Sequence, residues 1–148
     1  MKEIILLGGL VLLAWSDARK RIIPNEVLKW MLVFRFLLFI EIVLRPQENC
    51  ELMLDSILGA IAGLVPMSIC YIFSCKKIAA GDVKLIAVIG IYVGIVLIFE
   101  IIFYSCLYAI TYVLGVRCIE KEWAQKRLPF APFVLLGTMT AMFIFHLR

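Results

Sequence analysis

From Val83 to Val116 the chain runs for 34 residues with only two charged side chains, Lys84 and Glu100. As one α-helix this run would be about 51 Å long at 1.5 Å per residue. The hydrocarbon core of a bilayer is about 30 Å thick, so the run is too long for one crossing and short for two. Four more apolar segments accompany it: Ile4 to Trp15, Val27 to Leu44, Leu52 to Cys75, and Pro129 to Leu147. With 64% apolar residues and a mean hydropathy of +1.05, the chain exceeds the roughly 45–50% apolar content of soluble domains. In water such a fold would leave apolar surface uncovered, so lipid is the expected solvent.

The basic residues decide how often the chain crosses. They fall in three clusters: Arg19, Lys20 and Arg21; Lys76, Lys77 and Lys84; Arg117, Lys121, Lys126 and Arg127. Cytoplasmic loops carry the excess of Lys and Arg. With the second and third clusters both inside, the run between them must cross twice, with a turn near Gly90 to Gly94. The expectation is an all-α, polytopic membrane protein of about six transmembrane helices, one domain over residues 1–148, with both termini outside. The loops after helices 1, 3 and 5 face the cytoplasm, and Arg45 to Glu51 faces out. Helix 1 is expected to be retained, because no small-residue cleavage site follows it and Arg19 to Arg21 reverse the polarity of a signal peptide.

Other classes of function lack their signatures. Aromatic residues do not interleave with basic ones as single-strand binding requires. The cysteines, Cys50, Cys70, Cys75, Cys106 and Cys118, contain no C-x-x-C pair, and the one histidine is His146. A zinc site would want close-spaced ligands. Free thiols behaving as small hydrophobes are expected, with no metal or cofactor.

Two aspartates stand out. Carboxylates within or at the edge of a membrane are costly and usually functional. Asp17 ends helix 1 and Asp82 starts helix 4, and the topology derived from Lys and Arg puts both at the cytoplasmic face. Two carboxyl groups held close cannot both ionise easily, so one keeps a proton. The charged member can take a proton from water and the other can donate to a carbonyl oxygen, which is general acid–base hydrolysis. The pair titrates as a unit, and sequence assigns neither role to one residue. Taken singly, Asp82 reads equally as a helix N-cap and Asp17 as a polar residue leaving the membrane.

The flanking residues narrow the choice. Asp17-Ala-Arg-Lys-Arg-Ile-Ile-Pro24-Asn25 resembles the first motif of the type IV prepilin peptidases, in which an aspartate precedes a basic stretch and Ile-Pro-Asn. Gly81-Asp82-Val83-Lys84 is similar to their second motif, Gly-x-Gly-Asp-x-Lys, with Ala79 in place of its first glycine. Leu128-Pro129-Phe130-Ala131-Pro132-Phe133 resembles a late Pro-Phe-Gly/Ala-Pro-Phe signature. The resemblance implies a six-helix intramembrane aspartic endopeptidase of the cell inner (cytoplasmic) membrane. It would remove the leader of type IV prepilins or prepilin-like proteins, as in type IV pilus assembly and secretion, with Asp17 and Asp82 as the catalytic pair. The implied partners are the lipid bilayer and a substrate with a basic leader and an apolar helix. Larger members carry a methyltransferase region with paired cysteines that has no counterpart in this sequence, so N-methylation is not expected.

Supporting roles follow for Pro24, Asn25, Gly81 and Lys84. Pro24 and Asn25 should open helix 2 and fix the loop after Asp17. Gly81 should let the chain turn tightly beside Asp82. Lys84 should lower a carboxylate's pKa or hold a substrate carbonyl, unless it is one more positive-inside charge. Ala79 asks for an ordinary backbone conformation. Arg35, Glu41 and Glu100 should pair with other helices or snorkel. The competing readings are a related peptidase for preflagellin or Flp-type prepilins, and a non-enzymatic membrane assembly subunit.

Overall fold

The computed structural model describes residues 2–20, 23–43, 49–73, 79–119 and 129–147. They form six helices: α1 (Lys2–Lys20), α2 (Asn25–Val43), α3 (Asn49–Phe73), α4 (Ala80–Val93), α5 (Ile95–Ile119) and α6 (Ala131–Leu147). No strand occurs among the described residues. Arg21, Lys76 and Lys77, Lys121, Lys126 and Arg127, and the segment 44–48 lie outside them, so most of the basic loops do too.

The distribution of polarity is inverted relative to a soluble protein. Apolar side chains such as Ile4, Trp15, Trp30, Phe36, Phe73, Phe103 and Phe143 are exposed on the outside. Asp17, Arg35, Ser56, Asp82, Ser105 and Thr138 are buried within. Lipid favours this arrangement, because apolar surface costs nothing against acyl chains while polar groups must find partners among the helices. Helices α3 and α5 are each long and apolar enough to cross a membrane.

The long apolar run divides as its length requires. Helix α4 stops at Val93 and α5 starts at Ile95, with Gly94 between them at φ +84°. Side chains rarely adopt that backbone, whereas glycine does so without steric cost. The break satisfies its own polar groups: the Gly94 N–H donates to the Gly90 carbonyl. The Asp55 carboxylate of α3 accepts from the Ile95 N–H at 3.0 Å and so caps α5. Sequence reading placed this turn but overlooked Asp55.

Helices α3 and α4 run antiparallel and touch backbone to backbone. A Cβ at Gly59 would collide with the Gly90 carbonyl, and one at Gly90 with the Gly59 carbonyl. Four residues on, Gly63 leaves room for Ile86. Helix α3 thus carries Gly59 and Gly63, and Gly90 of α4 is followed at spacing four by its C-cap Gly94, the pattern that lets membrane helices approach closely. Helix α2 is tied to this pair by Arg35, which is 6% exposed. Its guanidinium donates to Ser56 Oγ at 2.9 Å and to the Ile91 carbonyl at 3.1 Å, and lies over the Phe39 ring. The Tyr92 hydroxyl donates to the Met31 carbonyl. Arg35 therefore finds partners on other helices, as expected for an intramembrane cation. Cys70 and Cys106 are free thiols, also as expected.

This packing predicts that Gly90→Ala destabilises the protein by about 3 kcal/mol, the upper end of the overpacking range, since the neighbour is backbone and cannot rotate away. Gly8→Ala should be neutral or stabilising by roughly 1 kcal/mol through helix propensity, because nothing lies within 4 Å of its added carbon. Thermal unfolding in detergent would compare the two, and equal midpoints would contradict the close α3–α4 crossing.

Candidate active site

Helix α1 buries Leu6, Leu10, Leu13, Ala14 and Asp17. Their spacing of three and four places them on one face, so the burial of Asp17 follows from the apolar residues before it. Helix α6 buries Ala131, Val134, Gly137, Thr138 and Ala141 at the same spacing. It sits close to α5, where Gly137 leaves no room for a Cβ against Ser105. The end of α1 thereby meets the start of α6, and Asp17 Oδ2 accepts a hydrogen bond from the Ala131 N–H at 3.0 Å.

Asp82 lies in the first turn of α4, just before the apolar run 83–93, and is 9% exposed. It is not the helix cap. Ala79 holds that position at φ −75° and ψ 139°, an ordinary extended backbone, and its carbonyl accepts from the Asp82 N–H. The side chain of Asp82 is therefore carried by regular helix and aimed by it. Its carboxyl is pushed up to about 6, first by burial, then by the negative charge of Asp17, against a smaller opposing contribution from a backbone hydrogen bond at Ala79. Each aspartate is thus within electrostatic reach of the other, although 65 residues separate them in sequence.

Gly81 does not make the tight turn expected of it. It lies inside the first turn of α4, with no positive φ. Its missing side chain leaves room for Ile23, whose Cβ would stand 3.1 Å from an added carbon. The isoleucine comes from the loop after Asp17, so Gly81 is where the segments bearing the two aspartates press together. Nothing in sequence distinguishes a glycine kept for closeness from one kept for a turn.

The other supporting residues are more peripheral. Pro24 is half-buried and directly precedes α2, which opens at Asn25, as the sequence suggested. The Asn25 side chain is exposed. Lys84 is exposed and does not feature among the influences on Asp82. With Arg19, Lys20 and Lys29 it forms an outward-facing basic rim at this end of the bundle. Glu26 is engaged by Lys29 at 2.9 Å on the surface. Leu128 of the late motif lies outside the described residues. The part of that motif which reaches the site is a backbone donor, that of Ala131, and side-chain chemistry alone could not have revealed it.

Two carboxyl groups that are buried and within electrostatic reach of each other form a unit that can accept and donate a proton together. Comparison with known proteins points to a peptidase. One curated relative, "Prepilin leader peptidase/N-methyltransferase" of Bacillus subtilis (strain 168), is 26% identical over 138 residues, covering 93% of this chain and 53% of the relative. The chain thus spans about half the length of the curated relative it matches. No solved structure matches the chain. Residues 4–114, which contain both aspartates, match the model of the type IV leader peptidase family. On that match, over most of its length, the chain belongs to the type IV leader peptidase family.

Proposed function

We propose that the protein is an intramembrane aspartic endopeptidase that removes the leader of type IV prepilins or prepilin-like proteins, with Asp17 and Asp82 as its catalytic pair. The observation that carries this reading is the electrostatic coupling of two buried carboxyl groups from different helices at one end of the bundle. Family membership supplies the reaction class. Residues 1–148 act as one transmembrane unit in this reading.

The chemistry needs one proton on the pair. The carboxylate member removes a proton from water as its oxygen attacks the scissile carbonyl carbon. The protonated member gives its proton to the carbonyl oxygen. A neutral pair could not activate water, and a doubly charged one could not protonate the carbonyl.

The site would stand at the cytoplasmic border of the cytoplasmic membrane. Arg19, Lys20, Lys29 and Lys84 are exposed at the aspartate end, and basic residues gather on the cytoplasmic side. A prepilin presents a basic leader followed by an apolar helix, so its cleavage point would arrive at this border. The basic rim offers such a leader no general attraction. The apolar helix, packing beside the bundle in lipid, supplies most of the affinity.

Purified protein incubated with a candidate prepilin in detergent or liposomes should yield the shortened product on a gel. Asp17→Ala and Asp82→Ala should each lower the rate by at least about a hundredfold, the scale of general acid–base catalysis. Full cleavage by both variants would remove the basis of the proposal.

The pH dependence has a definite sign. Asp82 keeps its proton up to about pH 6 and loses it above, so kcat/KM, which reports the free enzyme, should fall as pH rises through that value. In Asp17→Asn the neighbouring charge is gone. The Asp82 carboxyl, followed by carbon NMR of labelled aspartate, should then titrate at lower pH than in the wild type. An unchanged titration would mean that the two groups are not coupled.

A further inference from the structure

The start of α6 is built to present one hydrogen-bond donor. Helix N-termini leave several backbone N–H groups without partners inside the helix. Here Pro132 has none to offer, and the Phe133 and Val134 N–H groups both donate to the Phe130 carbonyl. That leaves the Ala131 N–H, which is directed at Asp17 Oδ2. Ala131 is fully buried and Asp17 nearly so, so water does not compete for the bond. The α6 macrodipole adds partial positive charge at the same point. A hydrogen bond to a charged acceptor is about twice as strong as a neutral one, so this donor favours a carboxylate at Asp17.

We propose that the N-terminus of α6 is a positioning element that fixes the division of labour in the pair, holding Asp17 as the base and leaving the proton on Asp82 as the acid. The inference rests on the hydrolytic reading above. Asp82 also lies in the first turn of a helix, and a backbone hydrogen bond at Ala79 favours its charge. Burial and the neighbouring negative charge outweigh that contribution. At Asp17 the partner that favours charge is a backbone donor.

With roles assigned, the steps balance. Asp17 takes one proton from water, and the resulting hydroxyl oxygen forms the C–O bond. The carbonyl π electrons move to oxygen, which receives the Asp82 proton. The tetrahedral diol then collapses: the C–N electron pair leaves with nitrogen, which takes the proton from Asp17, while one hydroxyl proton returns to Asp82. The products are a carboxylic acid and an amine, and the pair is restored.

The test removes the donor without changing a side chain. Replacing Ala131 by lactate through nonsense suppression turns its amide into an ester and deletes the N–H. The cost expected of one hydrogen bond to a charged group is about tenfold to a hundredfold in kcat, with KM little changed. A readout independent of turnover is carbon NMR of labelled aspartates, assigned with Asp17→Asn and Asp82→Asn. At a pH where the pair holds a single proton, the wild type should show the neutral form at Asp82. In the ester protein the shared proton should redistribute towards Asp17. The reverse assignment in the wild type, or an ester protein with unchanged spectrum and kcat, would overturn the proposal even if both aspartates remain essential. Cleavage that survives loss of either aspartate would instead count against the hydrolytic reading itself.

Discussion

A buried carboxylate must be given a donor or surrender its charge. Asp17 receives its donor from a helix that begins 114 residues later in the chain. That bond closes the bundle, because it joins the end of the first helix to the start of the last. It also brings the negative charge of Asp17 to a fixed place near Asp82. The raised proton affinity of Asp82 comes first from its own burial and then from that neighbouring charge. Packing elsewhere serves the same end: the apolar face of α1 sets the direction of Asp17, and the close contact of α6 with α5 at Gly137 and Ser105 sets the position of Ala131.

The two ends of the bundle solve different problems with similar parts. At the aspartate end, a carboxylate meets a helix N-terminus and a second carboxyl group stands near. At the far end, the Asp55 carboxylate meets the N-terminus of α5, beside the glycine that breaks the apolar run. Arg35, Ser56 and Tyr92 knit α2, α3 and α4 together beside that far end. Asp55 accepts from the Ile95 N–H and so caps a helix, an architectural role. Asp55 is only partly buried, whereas Asp17 and Asp82 are both buried.

Much of this was legible in the residues. Length and charge together required a break in the run from Val83 to Val116, and it falls at Gly94. The aspartates were expected at one end because the loops beside them are basic, and the structure brings them together. Arg35 was expected to find partners across helices, and it does. What escaped was contact between distant segments. The Ala131 donor belongs to the backbone and has no side-chain signature. The Gly81 notch depends on Ile23, which no local pattern connects to it. The spacing of Gly59 with Gly63 and of Gly90 with Gly94 was visible in the sequence, but only the crossing of α3 and α4 gives it meaning.

Helix α4 has 14 residues and so rises only about 21 Å, roughly 9 Å less than the hydrocarbon thickness of an average bilayer. Its far end is fixed by the Gly94 break and the Asp55 cap, so the shortfall falls largely at the end that carries Asp82. Acyl chains beside so short a helix thin locally to follow it, at a modest cost per ångström of mismatch. With the proposed site at the membrane border, the aspartates would then lie at the floor of a dimple in the membrane surface, within reach of water that a full-thickness leaflet would hold away. A peptide chain emerging from its own apolar helix would meet them there, without drawing polar backbone through lipid.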